Sequence, residues 1–273
     1  MIPSHDLDII ENQKIIIEKL DVLQSYDFGI PHRHEYFEMF FFDKGDGSHM
    51  IDFTEFGVQN TSIHFVAPGQ IHQLKREVDS SGFVVLFHQD VFEDIPMISD
   101  YLFDFICIEP DQFSPVFKFP KTNDVEFYLN RIWNAKGNDS PISEIQTKNF
   151  LSQILLECIQ LNSNKINVND SQYASFRKAV RFNFKKWHKV QDYANFLGLT
   201  DKSLNEMAKK YTGKKASELI YNHIILEAKR LLQTNASIKE TAFQLSFDDP
   251  SHFSKFFKSK VGVSPSEFQK VPD

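Results

Sequence analysis

"FDDPSHFSKFFKSKVGVSPSEF", residues 247–268, decides how this chain is read. Phe253, Phe256 and Phe257 recur at helical spacing and mark one buried face. Ser251, His252, Ser254, Lys255, Lys258 and Lys260 are left on the other side. Asp249 can cap the start of that helix. Ser264-Pro265 with Glu267 has the spacing of a capping box with proline at the first helical position.

The stretch is one of two copies. "VQDYANFLGLTDKSLNEMAKKYTGKKASEL" (190–219) aligns over "IKETAFQLSFDDPSHFSKFFKSKVGVSPSEF" (238–268) with one extra residue in the second turn. Ala194 falls over Ala242, Leu197 over Leu245, Leu204 over Phe253 and Gly213 over Gly262. Each copy reads as a short helix, a tight turn and a second helix, with "SELIYNHIILEAKRLLQT" as one connecting helix between them. Small Ala194 and Ala242 let paired helices approach closely. Gly198 permits the first turn, and Ser246 takes that place in the second. Ser237 with Glu240 and the cap residue Thr200 mark further helix starts. This is helix-turn-helix geometry, whose second helix enters a major groove. In the first copy the outward positions are Lys202, Asn205, Glu206, Lys209 and Lys210.

Charge supports the division. Residues 1–169 hold 12 basic and 26 acidic side chains, and residues 170–273 hold 18 and 11. The overall −7 thus hides an acidic part at −14 joined to a basic one at +7, the asymmetry expected when one part meets a polyanion.

Upstream, residues 13–115 read as strands. "FEMFFFDKGDGSHMIDF" and "GFVVLFH" are aromatic and β-rich, with turns at "DKGDG" and "APGQ". Short strands at this spacing suggest a barrel or sandwich. From residue 121 the pattern becomes helical. Ser140-Pro141 starts one helix, whose Leu151, Ile154, Leu155, Cys158 and Leu161 share a face. "NSNKINVNDSQ" (162–172) reads as a linker. The two cysteines, Cys107 and Cys158, are too few for a disulfide framework or a zinc cluster and read as small buried hydrophobes. There is no signal-peptide pattern and no membrane-length apolar run, so a cytoplasmic protein is expected.

Residues 173–270 resemble the DNA-binding domain of the AraC/XylS family of bacterial transcription regulators, most closely over the second copy. That resemblance implies double-stranded DNA as partner. It puts Lys202, Asn205 and Glu206 at base-reading places in the first recognition helix, and Ser251 and Lys255 in the second. Lys209, His252 and Lys258 complete the expected contact face. Gln269 departs from the family's usual arginine.

"PHRHEYFEMFFFDKG" carries the spacing H-x-H-x3-E-x6-G, and "PGQIH" supplies His72. It resembles the cupin barrel, in which two His, one Glu and a later His bind a metal. Alternation along a strand puts His32, His34, Tyr36, Glu38, Phe40 and Phe42 on one face. Three readings compete: a catalytic metal cupin, a metal-containing sensor, and a metal-free pocket gripping a small-molecule effector. The last is taken, with His32, His34, Tyr36, Glu38 and His72 as effector-binding residues and no metal or cofactor. The expected fold is α+β in two domains: a cupin-like β-barrel with flanking helices over 1–165, which senses and dimerises, and an all-α double helix-turn-helix over 166–273. The expected function is an effector-responsive transcriptional regulator, not an enzyme, acting as a homodimer that can meet RNA polymerase. The alternative is a metal-dependent cupin enzyme with an accessory DNA-binding domain.

Overall fold

The computed structural model describes residues 4–5, 14–20, 30–77, 79–107, 114–119, 123–138, 140–162, 171–234 and 236–270. They fall in two compact units, within 3–166 and 167–273.

The first unit holds strands β1 (Ser4–His5), β2 (Ile15–Lys19), β3 (Arg33–His34), β4 (Phe37–Lys44), β5 (Gly47–Ile51), β6 (Thr54–Gly57), β7 (Ser62–Val66), β8 (His72–Arg76) and β9 (Ser81–Phe87). Helix α1 (Pro96–Cys107), strand β10 (Val116–Lys118), α2 (Asn123–Ala135) and α3 (Pro141–Asn162) follow. One antiparallel sheet has the order β10-β7-β4-β9-β2, and a second has the order β6-β5-β8. β1 and β3 form a short parallel pair.

The period of two in β4 builds both cores. Phe37, Met39 and Phe41 pack with Leu129, Ile132, Leu151, Ile154 and Leu155 of the helices. Phe40 and Phe42 face the other way, onto Ile51, Val58 and Leu74 of the second sheet side. A strand covered on both faces is apolar throughout, which is why "FEMFFF" reads as a continuous run. Gly82 makes the crowded β4–β9 crossing possible. At φ 150 a Cβ there would sit 1.9 Å from the Phe41 carbonyl oxygen, beside the register shift between Phe42 and Lys44.

Four sequence expectations need correction here. α1 lies inside the stretch read as strands, because "PMISDYLFDFIC" spends its apolar residues Ile98, Tyr101 and Leu102 on the shared core. The barrel also takes a strand beyond residue 115, β10, which pairs with β7. Leu161 is exposed and leaves the face shared by Leu151, Ile154, Leu155 and Cys158, since it lies in the last turn of α3. The linker 162–172 lies outside the described residues except at its ends, Asn162 and Ser171-Gln172, which are helical. The Ser140 hydroxyl accepts from the Ser143 N–H as the Ser-Pro start requires. Cys158 is buried, and burial pushes its thiol far above the ordinary range. The side chain of Cys107 lies outside the described residues.

The second unit is helical: α4 (Ser171–Asn183), α5 (Val190–Phe196), α6 (Asp201–Thr212), α7 (Ala216–Gln233), α8 (Ile238–Gln244), α9 (Pro250–Val261) and α10 (Pro265–Phe268). α5–α6 and α8–α9 are the two copies, and α7 connects them. The caps form where the sequence puts them. Thr200 accepts from Ser203 N–H, Asp249 from Ser251 N–H, and Ser237/Glu240 and Ser264/Glu267 make reciprocal boxes. α6 and α9 both end on left-handed glycines, Gly213 and Gly262. Ala194 and Ala242 are buried in one core with Leu204, Ala208, Phe253 and Phe257.

Candidate functional site

Two sites emerge, one in each unit. On the helical unit, α6 buries Leu204 and Ala208 while α9 buries Phe253 and Phe257. The opposite faces present Lys202, Glu206 and Lys209 from α6, and Ser251, His252, Lys255 and Lys258 from α9, all exposed. Lys202 and Glu206 are 3.9 Å apart and largely solvated, a pair too exposed to hold either side chain away from a partner. Ser251 and His252 occupy the first turn of α9, where the Asp249 carboxylate accepts the Ser251 N–H and the Asp249 carbonyl accepts the His252 N–H.

Asn205 departs from this face. Its amide N–H donates to the Asp201 carbonyl at 2.9 Å, and its Oδ1 accepts the Ala216 N–H at 3.1 Å. Ala216 opens α7 and has an N–H that the helix itself cannot satisfy. The side chain thereby joins α6 to α7. Gln269 has a similar task at the other end of α7, donating to the carbonyls of Leu232 and Ala236.

In the barrel, His32, His34, Glu38 and His72 come together although the strand breaks at residues 35–36. Backbone bonds hold the segments. His32 N–H donates to the His72 carbonyl, and His72 N–H to that of His32. Gly69 N–H, from the Pro68-Gly69 turn, donates to the His34 carbonyl at 2.8 Å. All four side chains are buried.

Their ring nitrogens are ordered. His32 Nδ1–H donates to the Ile30 carbonyl at 2.9 Å and His34 Nδ1–H to the Tyr36 carbonyl at 2.7 Å. A neutral imidazole carries one N–H, so both rings present Nε2 as a lone pair. His34 Nε2 and His72 Nε2 are 3.1 Å apart, and each lies 3.3 Å from Glu38 Oε2, which accepts no hydrogen bond. One donor atom from each of the four residues lies within 4.8 Å of all the others. An ion with bonds of about 2.1 Å has ligand–ligand edges of roughly 3.0 Å in an octahedron and roughly 3.4 Å in a tetrahedron. The three measured edges fall in that interval. The residues fit a divalent metal.

The Tyr36 ring stacks on His34 at 4.0 Å and forms a wall. Phe40 stands edge-on to His49, and Phe42 edge-on to His64. Those two histidines were missed by the motif. They are fully buried and continue the cluster: His72 Nδ1 meets His49 Nε2 at 3.2 Å, and His49 Nδ1 meets His64 Nδ1 at 3.3 Å. Burial, then neighbouring His64 and His32, hold His49 well below the ordinary histidine range. Burial brings His64 down to about 4. A signal existed: "GSHMI" and "SIHFV" each place one imidazole inside an otherwise strand-forming run.

Comparison with known proteins matches each unit to a described domain. A model of AraC-like ligand binding domains matches residues 23–155, and a helix-turn-helix domain model matches residues 193–270. YfiF of Bacillus subtilis (strain 168), named an uncharacterized HTH-type transcriptional regulator, is 24% identical over 254 residues, 88% of this chain and 78% of its own. AarP of Providencia stuartii, named an HTH-type transcriptional activator, is 33% identical over 81 residues, 29% of this chain and 60% of its own. Among solved structures, ToxT from Vibrio cholerae matches over 94% of this chain and 97% of its own, with 18% identity and a TM-score of 0.46.

Proposed function

Because the chain belongs to the AraC family of transcriptional regulators, we propose that it reads one DNA site with α6 and α9 together and governs that reading through the His32/His34/Glu38/His72 cluster. The family makes it an effector-responsive DNA-binding regulator. The observation that carries the finer reading is the common build of α6 and α9: a side-chain N-cap, two buried positions each, and a left-handed glycine at the C-cap.

On that reading Lys202, Glu206, Ser251 and Lys255 meet base edges. Lys209, Lys258 and His252 meet phosphates, which set register and salt dependence but not sequence preference. Two recognition helices in one chain enter successive major-groove segments, roughly 34 Å apart on one face of the duplex. DNase footprinting tests this: protection should span about two helical turns per chain, and protection of one groove segment alone would exclude joint use of both helices.

In the barrel, Nε2 of His32, His34 and His72 with Oε2 of Glu38 would hold a divalent transition metal. When bound it would supply a Lewis-acid contact for an oxygen of an incoming small-molecule effector. Tyr36 positions His34, and Phe40 and Phe42 keep water from the donors. The site works by population shift: its occupant favours the chain conformation in which it binds more tightly. His34→Ala should leave basal DNA affinity unchanged and abolish the response to metal or effector, measured by anisotropy of labelled operator DNA.

This use of the donors is non-catalytic, in keeping with relatives named as regulators. Exposed Phe127 on α2 with Ile142 and Ile145 on α3 gives the first unit an apolar surface suited to a second copy, hence a homodimer. RNA polymerase is the further partner a regulator of this family would meet at a promoter. Among the described residues no helix is long and apolar enough to cross a membrane, in keeping with a cytoplasmic chain.

A further inference from the structure

We propose that His49, held in turn by His64, is a positioning residue that fixes His72 as a metal ligand through Nε2. The inference rests on the reading of the four-donor cluster as a metal site. No motif points to these two histidines.

Three of the four donors are imidazoles. A metal-bound histidine needs its other nitrogen hydrogen-bonded, which sets both the tautomer and the tilt of the ring. His32 and His34 have that bond, from Nδ1–H to the carbonyls of Ile30 and Tyr36. A backbone carbonyl can only accept, so these two rings have no choice of tautomer. His72 is different. Its Nδ1 meets His49 Nε2 at 3.2 Å, and an imidazole nitrogen can donate or accept. With the proton on Nδ1 and donated to His49, His72 offers at Nε2 the lone pair that a metal needs.

Proton counting carries the dependence one ring further. For His72 to keep its N–H on Nδ1, His49 Nε2 must accept. The proton of neutral His49 then sits on Nδ1, which faces His64 Nδ1 at 3.3 Å. That nitrogen must accept in turn, leaving the N–H of His64 on Nε2. In the opposite order every proton is reversed: His72 carries Nε2–H towards Glu38 and cannot ligate. Both orders need all three rings neutral.

The placement fits a positioning role. His72 lies on β8 and His49 on β5, adjacent strands of the three-stranded sheet. His64 lies on β7 of the five-stranded sheet, opposite Phe40 of β4, the strand that carries Glu38. The His49–His64 contact therefore ties the two sheets together beside the donors and fixes the separation of His72 from Glu38. Among the described residues, buried His64 Nε2 makes no hydrogen bond.

The test uses the full-length chain, stripped of metal and titrated with Zn2+, and with Co2+ for its ligand-field spectrum. His49→Leu keeps the volume but removes the nitrogen acceptor, and it should weaken Zn2+ binding about 10- to 100-fold. The Co2+ spectrum should shift, reporting a moved or lost ligand. His49→Gln restores an acceptor and should recover part of the affinity. His64→Leu should weaken binding in the same direction but less, because it acts through His49. In 15N spectra of the wild-type Zn2+ form, His64 should carry its proton on Nε2. Unchanged affinity and Co2+ spectrum in a folded His49→Leu variant would overturn the positioning role alone. Wild-type protein that binds neither ion would overturn the metal reading of the cluster and the inference with it.

Discussion

Asn205 Oδ1 accepts the backbone N–H of Ala216 across 3.1 Å, so a side chain on the first recognition helix anchors the start of the helix that joins the two copies. Asn205→Ala should accordingly cost about 1 kcal/mol of stability, the scale of a lost helix cap. It should leave the preference for cognate over random DNA unchanged. Urea denaturation and competition binding separate the two effects. A stable variant with relaxed sequence preference would return Asn205 to the reading face.

Lys255 and Lys258 lie one turn apart on α9, and both are exposed. They should nonetheless behave differently. Lys255→Ala should lose roughly 1–3 kcal/mol on the cognate site and relax preference at particular base pairs. Lys258→Ala should weaken all sequences alike and reduce the slope of log K against log salt by about 1. Equal losses on cognate and random DNA for Lys255→Ala would assign it to the backbone instead.

Gly198 and Ser246 occupy the same left-handed turn in the two copies, at φ 66 and φ 54. A serine there strains its backbone by roughly 1 kcal/mol, and glycine does not. Ser246→Gly should therefore raise stability by up to ~1 kcal/mol, less the extra freedom it gives the unfolded chain. Gly198→Ala should lower stability by a similar amount. No atom lies within 4 Å of a Cβ built there, so that cost is conformational rather than a clash. Thermal melts of both variants check the pair of signs.

His64 gives the barrel an acid-sensitive element. Burial lowers it from 6.5 to about 4, so between those values the unfolded chain takes up a proton that the folded chain refuses. Stability from this group is full above pH 6.5, falls as pH drops through the window, and levels off below about 4. The total loss is on the order of 3 kcal/mol. In metal-stripped protein, His64→Gln should flatten the fall of the melting temperature with acid over that window. An unaltered profile would place the acid sensitivity on other groups.

Sequence legibility followed the range of each interaction. The caps at Thr200, Ser237, Asp249 and Ser264 join atoms within three residues of one another, and the apolar positions of α6 and α9 repeat every three or four. The chain therefore announces the two helix-turn-helix copies before any folding is considered. His32, His34 and Glu38 were also legible, since they lie within one segment and converge with His72 through an adjacent strand. The sequence could not say which nitrogens point where, because Nδ1 bonds to the Ile30 and Tyr36 carbonyls depend on how the chain bends at residues 35–36.

What the sequence by itself determined was the order of modules, the two helix-turn-helix copies and the four residues, His32, His34, Glu38 and His72, that come together in the first unit. Each depends on local spacing or on a contiguous strand. Tertiary structure alone decided the rest. It turned Asn205 towards Ala216, eleven residues away. It drew α1 out of an apolar stretch that periodicity could not distinguish from strand. It stacked His49 and His64, from different sheets, behind His72. The physical reason is common to all three. A polar group buried by the fold must find its partner in whatever other segment the packing brings near, and that choice is made by the packed sheets and the assembled helices, not by neighbours in the chain.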